Sequence, residues 1–468
     1  MFIFPLIYLV SFIVALREVL SGNKSAFLFF IIVGLSLYTT AMTVTFLLGF
    51  KQLIPIFQSF KELLVLIVLT INVLTLKKWP KLHLVDWLII ALLGYTLLYA
   101  ILPIGEQPFT ARLLAFKSMS FYLLVYFTGR LFNISSVYIN KYFNYVMLMT
   151  IAAGAIVLYE VATYQHLQVS TGYADYFYYF LNIEPEGQYG LSTTFESEGG
   201  YKRFASFYTS PLEHAGATLI ALAVIMALYT RDDNKIDYKP LGFAAFAATI
   251  ASITFAFSRA PLISYLIMIY LYLYLTNRRT ITRLINYSVI AVMGYLIYQL
   301  LFYQNKAEGI LAVAINTLNF SNPSSVGHLV AWAEGIMALI SHPLGLGLGA
   351  SGRVGSSLNG EVTGGENQYL IIGVQAGVIA LVLYLSIYIT FIRQGLKWMK
   401  ILKGKERKLC IAVFMIKIGF LIPSVTSEFE TSVYISYFNW FLSGLFVSTI
   451  MQYAAAEEPQ LTQQPLYA

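Results

Sequence analysis

Three arginines and one glutamate set the chemical question in this chain. Arg203 lies in "YKRFASFYTSPLEHAG" just ahead of an apolar run, and Arg259 lies in "FAFSRAPLI" between two apolar runs with almost no polar break. Arg353 sits in a glycine-rich stretch that ends at Glu366, immediately before Asn367 and a long apolar segment. A guanidinium keeps its charge at any relevant pH, and its planar fork grips two phosphate oxygens at once. Arginines at the rim of an apolar region therefore suit an anion clamp, and a carboxylate beside them suits a general base acting on a hydroxyl. Plainer readings stand beside these. Arg259 can also be read as an interfacial anchor snorkelling to headgroups, Arg203 as a flanking basic residue, and Glu366 as a capping acid at a helix start.

Other polar groups are less specific. Pro211, Glu213 and His214 fall inside the run that follows Arg203; they read as a distorted helix lining a cavity or as a simple kink. Glu196 and Glu198 in "FESEGG" are a weak pair for a divalent cation. Gly345, Gly347 and Gly349 are not followed by the Lys-Ser/Thr of a phosphate loop, which argues against nucleotide binding. The spacing Gly373-Val-Gln-Ala-Gly377 reads as close helix packing. No triad, P-loop or zinc pattern is present, so neither a metal nor a cofactor is expected.

The elements that must position these groups are membrane helices. The chain has 468 residues, 58% hydrophobic and only 11% charged, with a mean hydropathy of +0.70. A soluble domain of this length carries about twice that charge. Apolar runs of roughly 20 residues, enough to cross a bilayer, recur along the sequence. They number about thirteen: near 2–16, 26–50, 53–76, 83–104, 109–129, 142–164, 205–229, 241–258, 260–276, 287–303, 367–392, 409–424 and 432–452. The first run lacks the basic start and cleavage site of a signal peptide and reads as a retained helix. The lone cysteine, Cys410, excludes an internal disulfide and a multi-cysteine metal site. The net charge of +7 comes mostly from short connections between runs, which membrane topology explains without nucleic acid.

The basic connections "KKWPK", 130–141, "RDDNKIDYK", "NRRTITR" and "RQGLKWMKILKGKERK" fall on one side, cytoplasmic by the positive-inside rule. The organisation expected is then N-terminal helices over 1–164, a long outer loop over 165–204, central helices over 205–303, a second long outer loop over 304–366, C-terminal helices over 367–452 and a cytoplasmic tail over 453–468. Within the second loop, Val326, Leu329, Val330, Ala333, Ile336, Met337 and Ile340 line one face of a helix that Pro343 stops. That helix is too short and amphipathic to span, so it should lie on the outer membrane surface or dock on the bundle. Two long structured outer loops on a helical scaffold suggest work done at the outer face.

Four stretches, in family order, resemble the polymerases and ligases of bacterial surface polysaccharides, the Wzy and WaaL group with its O-antigen ligase-like domain. "RFASFYTSPLEHAG" resembles the family's Arg-x-x-Gly…Phe…Pro segment, with Ser206 where glycine is usual. "TFAFSRAPLISYLI" resembles its Ser-Arg-Gly/Ala turn. "HLVAWAEGIMALISHPLGLGLG" resembles its Trp-containing outer helix, with His328 where that helix often begins with Arg. "ENQYLIIGVQAGVIAL" resembles its His-Asn-x-Tyr-Leu…Gly segment, with Glu366 in the place of the histidine.

Together these cover about residues 200–392. The resemblance implies an all-α, glycosyltransferase-C-like fold of about 12–14 transmembrane helices in the cytoplasmic membrane, with its site facing the periplasm or exterior. It implies transfer of a glycan from undecaprenyl diphosphate with neither sugar nucleotide nor metal. Arg203 and Arg259 would hold the donor diphosphate, Arg353 would assist, and Glu366 would be the base. His328, Asn367, Tyr369, Glu213 and His214 are further site candidates. An acid before the Asn is familiar from polymerase-like members, which favours polymerisation of lipid-linked repeat units over ligation of finished glycan to a lipid core. Undecaprenyl-diphosphate-linked glycans and membrane lipid are the expected partners, and the resemblance admits a chain-length regulator. The glycine-rich stretch is expected to curl over lipid-linked sugars. A transporter or flippase is the rival from another class; it predicts polar groups along a path through the membrane and inverted repeats.

Overall fold

The computed structural model describes residues 1–197, 200–237, 239–302, 323–359 and 364–461. It is helical throughout, and among the described residues β-structure is limited to two isolated bridges. The chain is an all-α polytopic membrane protein, with ten helices long and apolar enough to span a bilayer. In chain order the helices are α1 (Ile3–Leu20), α2 (Lys24–Leu47), α3 (Ile54–Leu74), α4 (Leu84–Ile101), α5 (Phe109–Arg130), α6 (Ile139–Thr163), the short α7 (Tyr173–Leu181) and α8 (Pro211–Tyr229). They continue with α9 (Pro240–Phe255), α10 (Arg259–Leu275), α11 (Arg279–Phe302), α12 (Pro323–Ser341), α13 (Gly352–Asn359), α14 (Gln368–Trp398), α15 (Gly404–Leu421) and α16 (Val433–Leu461). Each run expected from hydropathy corresponds to a helix. Three of them, α5, α9 and α10, are shorter or more polar than the ten.

Helices serve here because only an intrahelical ladder satisfies backbone polar groups away from water. α2, α8, α15 and α16 are the most buried spans, whereas α11 lies at the edge with its apolar side chains outward. α5 and α16 approach closely where Gly129 meets the Phe441 carbonyl and Gly444 meets the Tyr126 carbonyl, leaving no room for a side chain.

The basic connections converge on one end of the bundle. Lys405 Nζ donates to the Ile134 carbonyl at 2.9 Å, and the Gly404 N–H to Asp232 Oδ1 at 3.0 Å. Lys408 Nζ reaches Asn140 Oδ1 at 3.0 Å, and Arg407 bonds the Arg231 carbonyl and Asn234. The long connections carrying the candidate site meet one another separately, as described below.

Two expectations are corrected. The span expected over 205–229 begins at Pro211, and residues 205–210 form a packed loop before it. Pro211 occupies the first turn, where its missing N–H costs nothing, so α8 is neither kinked nor distorted. Glu213 accepts the Thr209 N–H at 3.0 Å while Ser210 Oγ accepts the Glu213 N–H at 3.2 Å. Ser210 thus caps α8, and Glu213 ties the residue before the cap back to the first turn. The Gly373–Gly377 segment is likewise more than a packing motif. Gly377 has φ 77° and breaks α14, and the freed backbone groups are taken up by the glycine arc. Leu346 N–H donates to Val374 O at 2.7 Å, Gly347 N–H to Gln375 O at 3.1 Å, and Val378 N–H to Pro343 O at 2.9 Å.

Candidate active site

The Arg203 segment is held by a dense polar frame. Glu160, buried on α6, accepts the N–H of Leu167 at 2.8 Å and of Ser206 at 2.9 Å. Gln168 Nε2 donates to the carbonyls of Ser206 at 2.7 Å and Tyr208 at 3.0 Å, and Thr40 Oγ1 to that of Phe207 at 2.6 Å. Ser206 turns the chain with φ 53°, the left-handed region that glycine enters most easily. Its hydroxyl donates to the Ala153 carbonyl at 3.1 Å. Local hydrogen bonding thus offsets the strain of a side chain at a position that glycine would occupy without it.

This frame brings Arg203 to Arg259. The Phe204 N–H donates to the Phe255 carbonyl at 3.0 Å and Arg203 Nε to the Ala256 carbonyl at 3.3 Å. Arg203 therefore lies on the tight turn between α9 and α10, where Arg259 is the first residue of α10. Burial and the charge of Arg259 push the Arg203 guanidinium down to about 10, and the charge of Glu366 opposes them. Arg203 remains a cation at neutral pH. Two guanidiniums on adjoining segments, with a carboxylate in electrostatic reach, have the chemistry to grip an anion.

Glu366 is exposed in the turn at 364–366. The cap of α14 is Asn367, whose Oδ1 accepts the N–H groups of Tyr369 at 3.0 Å and Leu370 at 3.2 Å. Glu366 is thus free of capping duty. Glu366 also acts electrostatically on Glu428, a residue that the sequence reading passed over. Glu428 Oε2 accepts the Arg353 N–H at 2.9 Å, and Gly352 packs so closely that a Cβ there would meet both carboxylate oxygens at 3.1 and 3.3 Å. Burial pushes the Glu428 carboxyl above the usual range, the charge of Glu366 adds to this, and Arg353 opposes it. Arg353 itself is exposed on α13 and also acts electrostatically on Glu213.

The remaining candidates do not join it as chemical groups. His214 is buried, with Nδ1 3.2 Å from the Phe204 carbonyl and its ring stacked on Tyr208; it supports the Arg203 segment from beneath. Tyr369 points its hydroxyl to the Leu421 carbonyl at 3.1 Å. His328 lies on α12 beside Trp332, ring centres 6.1 Å apart. Glu198 lies outside the described residues, while Glu196 accepts the Gln188 N–H within its own loop. Among the described residues no group of three or more His, Cys, Asp or Glu is arranged to hold a metal.

Gly345 and Gly347 of the arc are packed against neighbouring backbone. Gly345, Gly347 and Gly349 all have positive φ. A Cβ at Gly345 would lie 2.6 Å from the Gly377 nitrogen, and one at Gly347 would overlap the Ile104 carbonyl. The arc is a plug that joins the 102–108 turn to the break in α14. α12 docks on the start of α14 through Ala331, Gly335 and Leu339, leaving Val330, Met337 and Ile340 exposed.

A second set of charges lies inside the bundle and was also missed. Lys417 is fully buried, with Nζ 4.1 Å from the Trp440 ring centre, 4.7 Å from that of Phe391 and 4.8 Å from that of Tyr388. It has no hydrogen-bond partner among the described residues. Glu430 accepts from Tyr384 and Tyr388 at 2.8 Å each and from Trp440 Nε1 at 2.9 Å. A lysine inside "CIAVFMIKIGFL" and two acids in the short turn "SEFET" were the available signals.

No family model matches the chain, and no curated protein is significantly similar to it.

Proposed function

We propose that the protein is a membrane glycosyltransferase that polymerises oligosaccharide units carried on undecaprenyl diphosphate at the outer face of the cytoplasmic membrane. The observation that carries this reading is the meeting of Arg203, Arg259 and Glu366, drawn from three separate connections. A lipid diphosphate is already a good leaving group and needs charge neutralisation more than protonation. As the anomeric C–O bond breaks, its electron pair stays on the diphosphate oxygen. Each preorganised donor to such developing charge is typically worth about 2.7–4 kcal/mol. Glu366 takes the proton of the acceptor hydroxyl, a contribution of about 10²–10⁴-fold. Attack from the face opposite the diphosphate inverts the anomeric centre. On this reading the ligand is the lipid-linked glycan, and no metal takes part.

The test supplies the purified protein with a synthetic lipid-diphosphate repeat unit and neither metal nor sugar nucleotide. Lengthening of the glycan supports polymerisation. Turnover only after a separate acceptor is added would instead make the protein a ligase. Arg259→Ala and Glu366→Gln should each abolish the polysaccharide ladder in cells at unchanged protein level. A normal ladder from Glu366→Gln removes that residue as base.

One observation favours a second reading, transport. Besides Lys417 and Glu430, the bundle encloses Asp86 with Arg130 at 3.1 Å, and the half-buried Glu62 pairs with Lys61 at 3.1 Å and with the exposed Lys117 at 2.9 Å. Charges inside a bundle often mark a conduction path. These groups are each neutralised by ions or rings close by, which favours local structural roles. Translocation of a fluorescent lipid-linked sugar in proteoliposomes without any elongation would support transport.

A further inference from the structure

We propose that the cytoplasmic end of the α10–α11 hairpin binds an anionic phospholipid, its phosphate among Arg278, Arg279 and Arg283 and its acyl chains along the outward face of α11. This site is independent of the glycosyltransferase reading. A cleft of 530 Å³ opens where α10 turns into α11, and the three arginines line it together with Tyr274, Asn277 and Thr282. Its volume lies within the span of ligand-sized pockets, roughly 300–1,000 Å³.

The turn holds the cations in place. Asn277 takes φ 60°, the left-handed conformation that commonly ends a helix, and the Arg278 N–H donates to the Leu273 carbonyl at 2.9 Å. Thr282 Oγ1 donates to the Arg278 carbonyl at 3.0 Å, and Arg278 Nη2 to the Asn234 carbonyl at 3.3 Å. Arg279 Nε donates to Asn277 Oδ1 at 3.0 Å. Arg279 and Arg283 stand one turn apart on the same face of α11, a spacing at which like charges repel. None of the residues lining the cleft is acidic, and the sequence holds no acid between Asp237 and Glu308. In the adjoining connection Asp233 pairs with Arg231 and Lys235, and Asp237 pairs with Lys239. Arg278 Nε is buried with no hydrogen-bond partner among the described residues. Three guanidiniums so placed suit an anion, and phosphate oxygens match their fork.

The surroundings decide the source of that anion. Arg278 is tied to the connection that also bonds Gly404 and Arg407, so the cleft belongs to the end where the basic connections meet. That end is cytoplasmic by the positive-inside rule. α11 lies at the edge of the bundle, and beside its arginines Ile281, Leu284 and Tyr287 are exposed, as is Tyr274 on α10. In a bilayer such side chains meet acyl chains. A free phosphate engages the arginines alone, whereas a phospholipid engages the cations and the apolar face together. Basic pockets between helices on the cytoplasmic side recognise anionic headgroups in this way.

Native mass spectrometry tests the site on the full-length protein, released from micelles titrated with phosphatidylglycerol or phosphatidylcholine. The wild type should retain one phosphatidylglycerol under conditions that strip phosphatidylcholine. Replacing Arg278, Arg279 and Arg283 together by Gln should raise the apparent Kd for phosphatidylglycerol about a hundredfold, about fivefold for each cation lost. Arg283→Gln alone, at an exposed position, should give the fivefold step even where the triple variant folds poorly. Replacing Arg231, Lys235 and Lys239 by Gln removes the same charge from the same end outside the cleft and should leave retention nearly unchanged. Equal losses in the two triple variants overturn the site, as does equal retention of both lipids by the wild type or an unchanged Kd in Arg283→Gln. Excess inorganic phosphate should fail to displace the lipid. Displacement by phosphate alone would make the ligand a free anion and overturn the lipid assignment.

Discussion

At the scale of single residues, the protein treats its charges in two different ways. At the loop end, Arg203 and Arg259 are held close although they repel, and a frame of buried carbonyls and carboxylates sustains that arrangement. Arg203→Ala should lower elongation about 10²–10³-fold, and Arg203→Lys should recover only part of it, because a point charge cannot replace the bidentate fork. Elongation rates on the synthetic donor check both. Inside the bundle the charges are instead enclosed by groups that satisfy them. Glu430 holds three strong donors, so Glu430→Ala leaves two tyrosines and a tryptophan unpaired in the core. Each such orphan costs about 1–3 kcal/mol. Lys417→Met removes a buried ammonium packed on three rings, and with it the counter-charge of Glu430, but it leaves every hydrogen bond to Glu430 in place and should be the milder of the two. Thermal melting in detergent should rank the two in that order.

The glycine arc and the break in α14 are one device at the scale of elements. Gly377 opens the helix, the arc supplies the missing partners, and Tyr99 OH from α4 ties the arc at the Leu344 carbonyl, 2.6 Å away. A Cβ at position 377 would lie 2.5 Å from the Pro343 carbonyl in a backbone region that side chains avoid. Gly377→Ala should therefore destabilise the protein by roughly 1–3 kcal/mol from backbone strain alone, and it should disturb Glu366, which stands just upstream. Melting temperature and elongation rate, measured on the same variant, should fall together. Ser206 is the converse case. Ser206→Gly relieves the positive φ but loses the bond to Ala153, so a small net change is expected. Ser206→Val keeps the strain and removes the bond, so a clear loss of melting temperature is expected.

Across the whole molecule, the arrangement is polarised. The connections rich in lysine and arginine interlock with one another, whereas those bearing Arg203, Arg259, Arg353, Glu366 and Glu428 form a separate cluster. The positive-inside rule assigns the first cluster to the cytoplasm. Labelling can check this because the single native cysteine, Cys410, is fully buried and gives no background. A cysteine at Lys235 should react with a membrane-impermeant reagent only after the cytoplasmic side is opened, and one at Gln188 should react from outside. The reverse pattern would put the arginine cluster on the wrong face for a lipid-linked donor.

Sequence alone determined what depends on local composition. Runs of apolar residues announced nearly every span, because crossing a bilayer demands length and hydropathy, and both can be counted. Arg203, Arg259 and Glu366 stood out because charge beside an apolar run is costly and therefore conspicuous. Only the tertiary structure decided what depends on which distant segments meet. Glu428 looked like an ordinary acid in a short turn until α13 was seen to seat its backbone on it. Lys417 was hidden among apolar neighbours until three rings closed around it. Gly345, Gly347 and Gly377 pointed to freedom in the chain, but packing assigned them to close backbone contact: periodicity in one segment carries no record of the surface pressed against it.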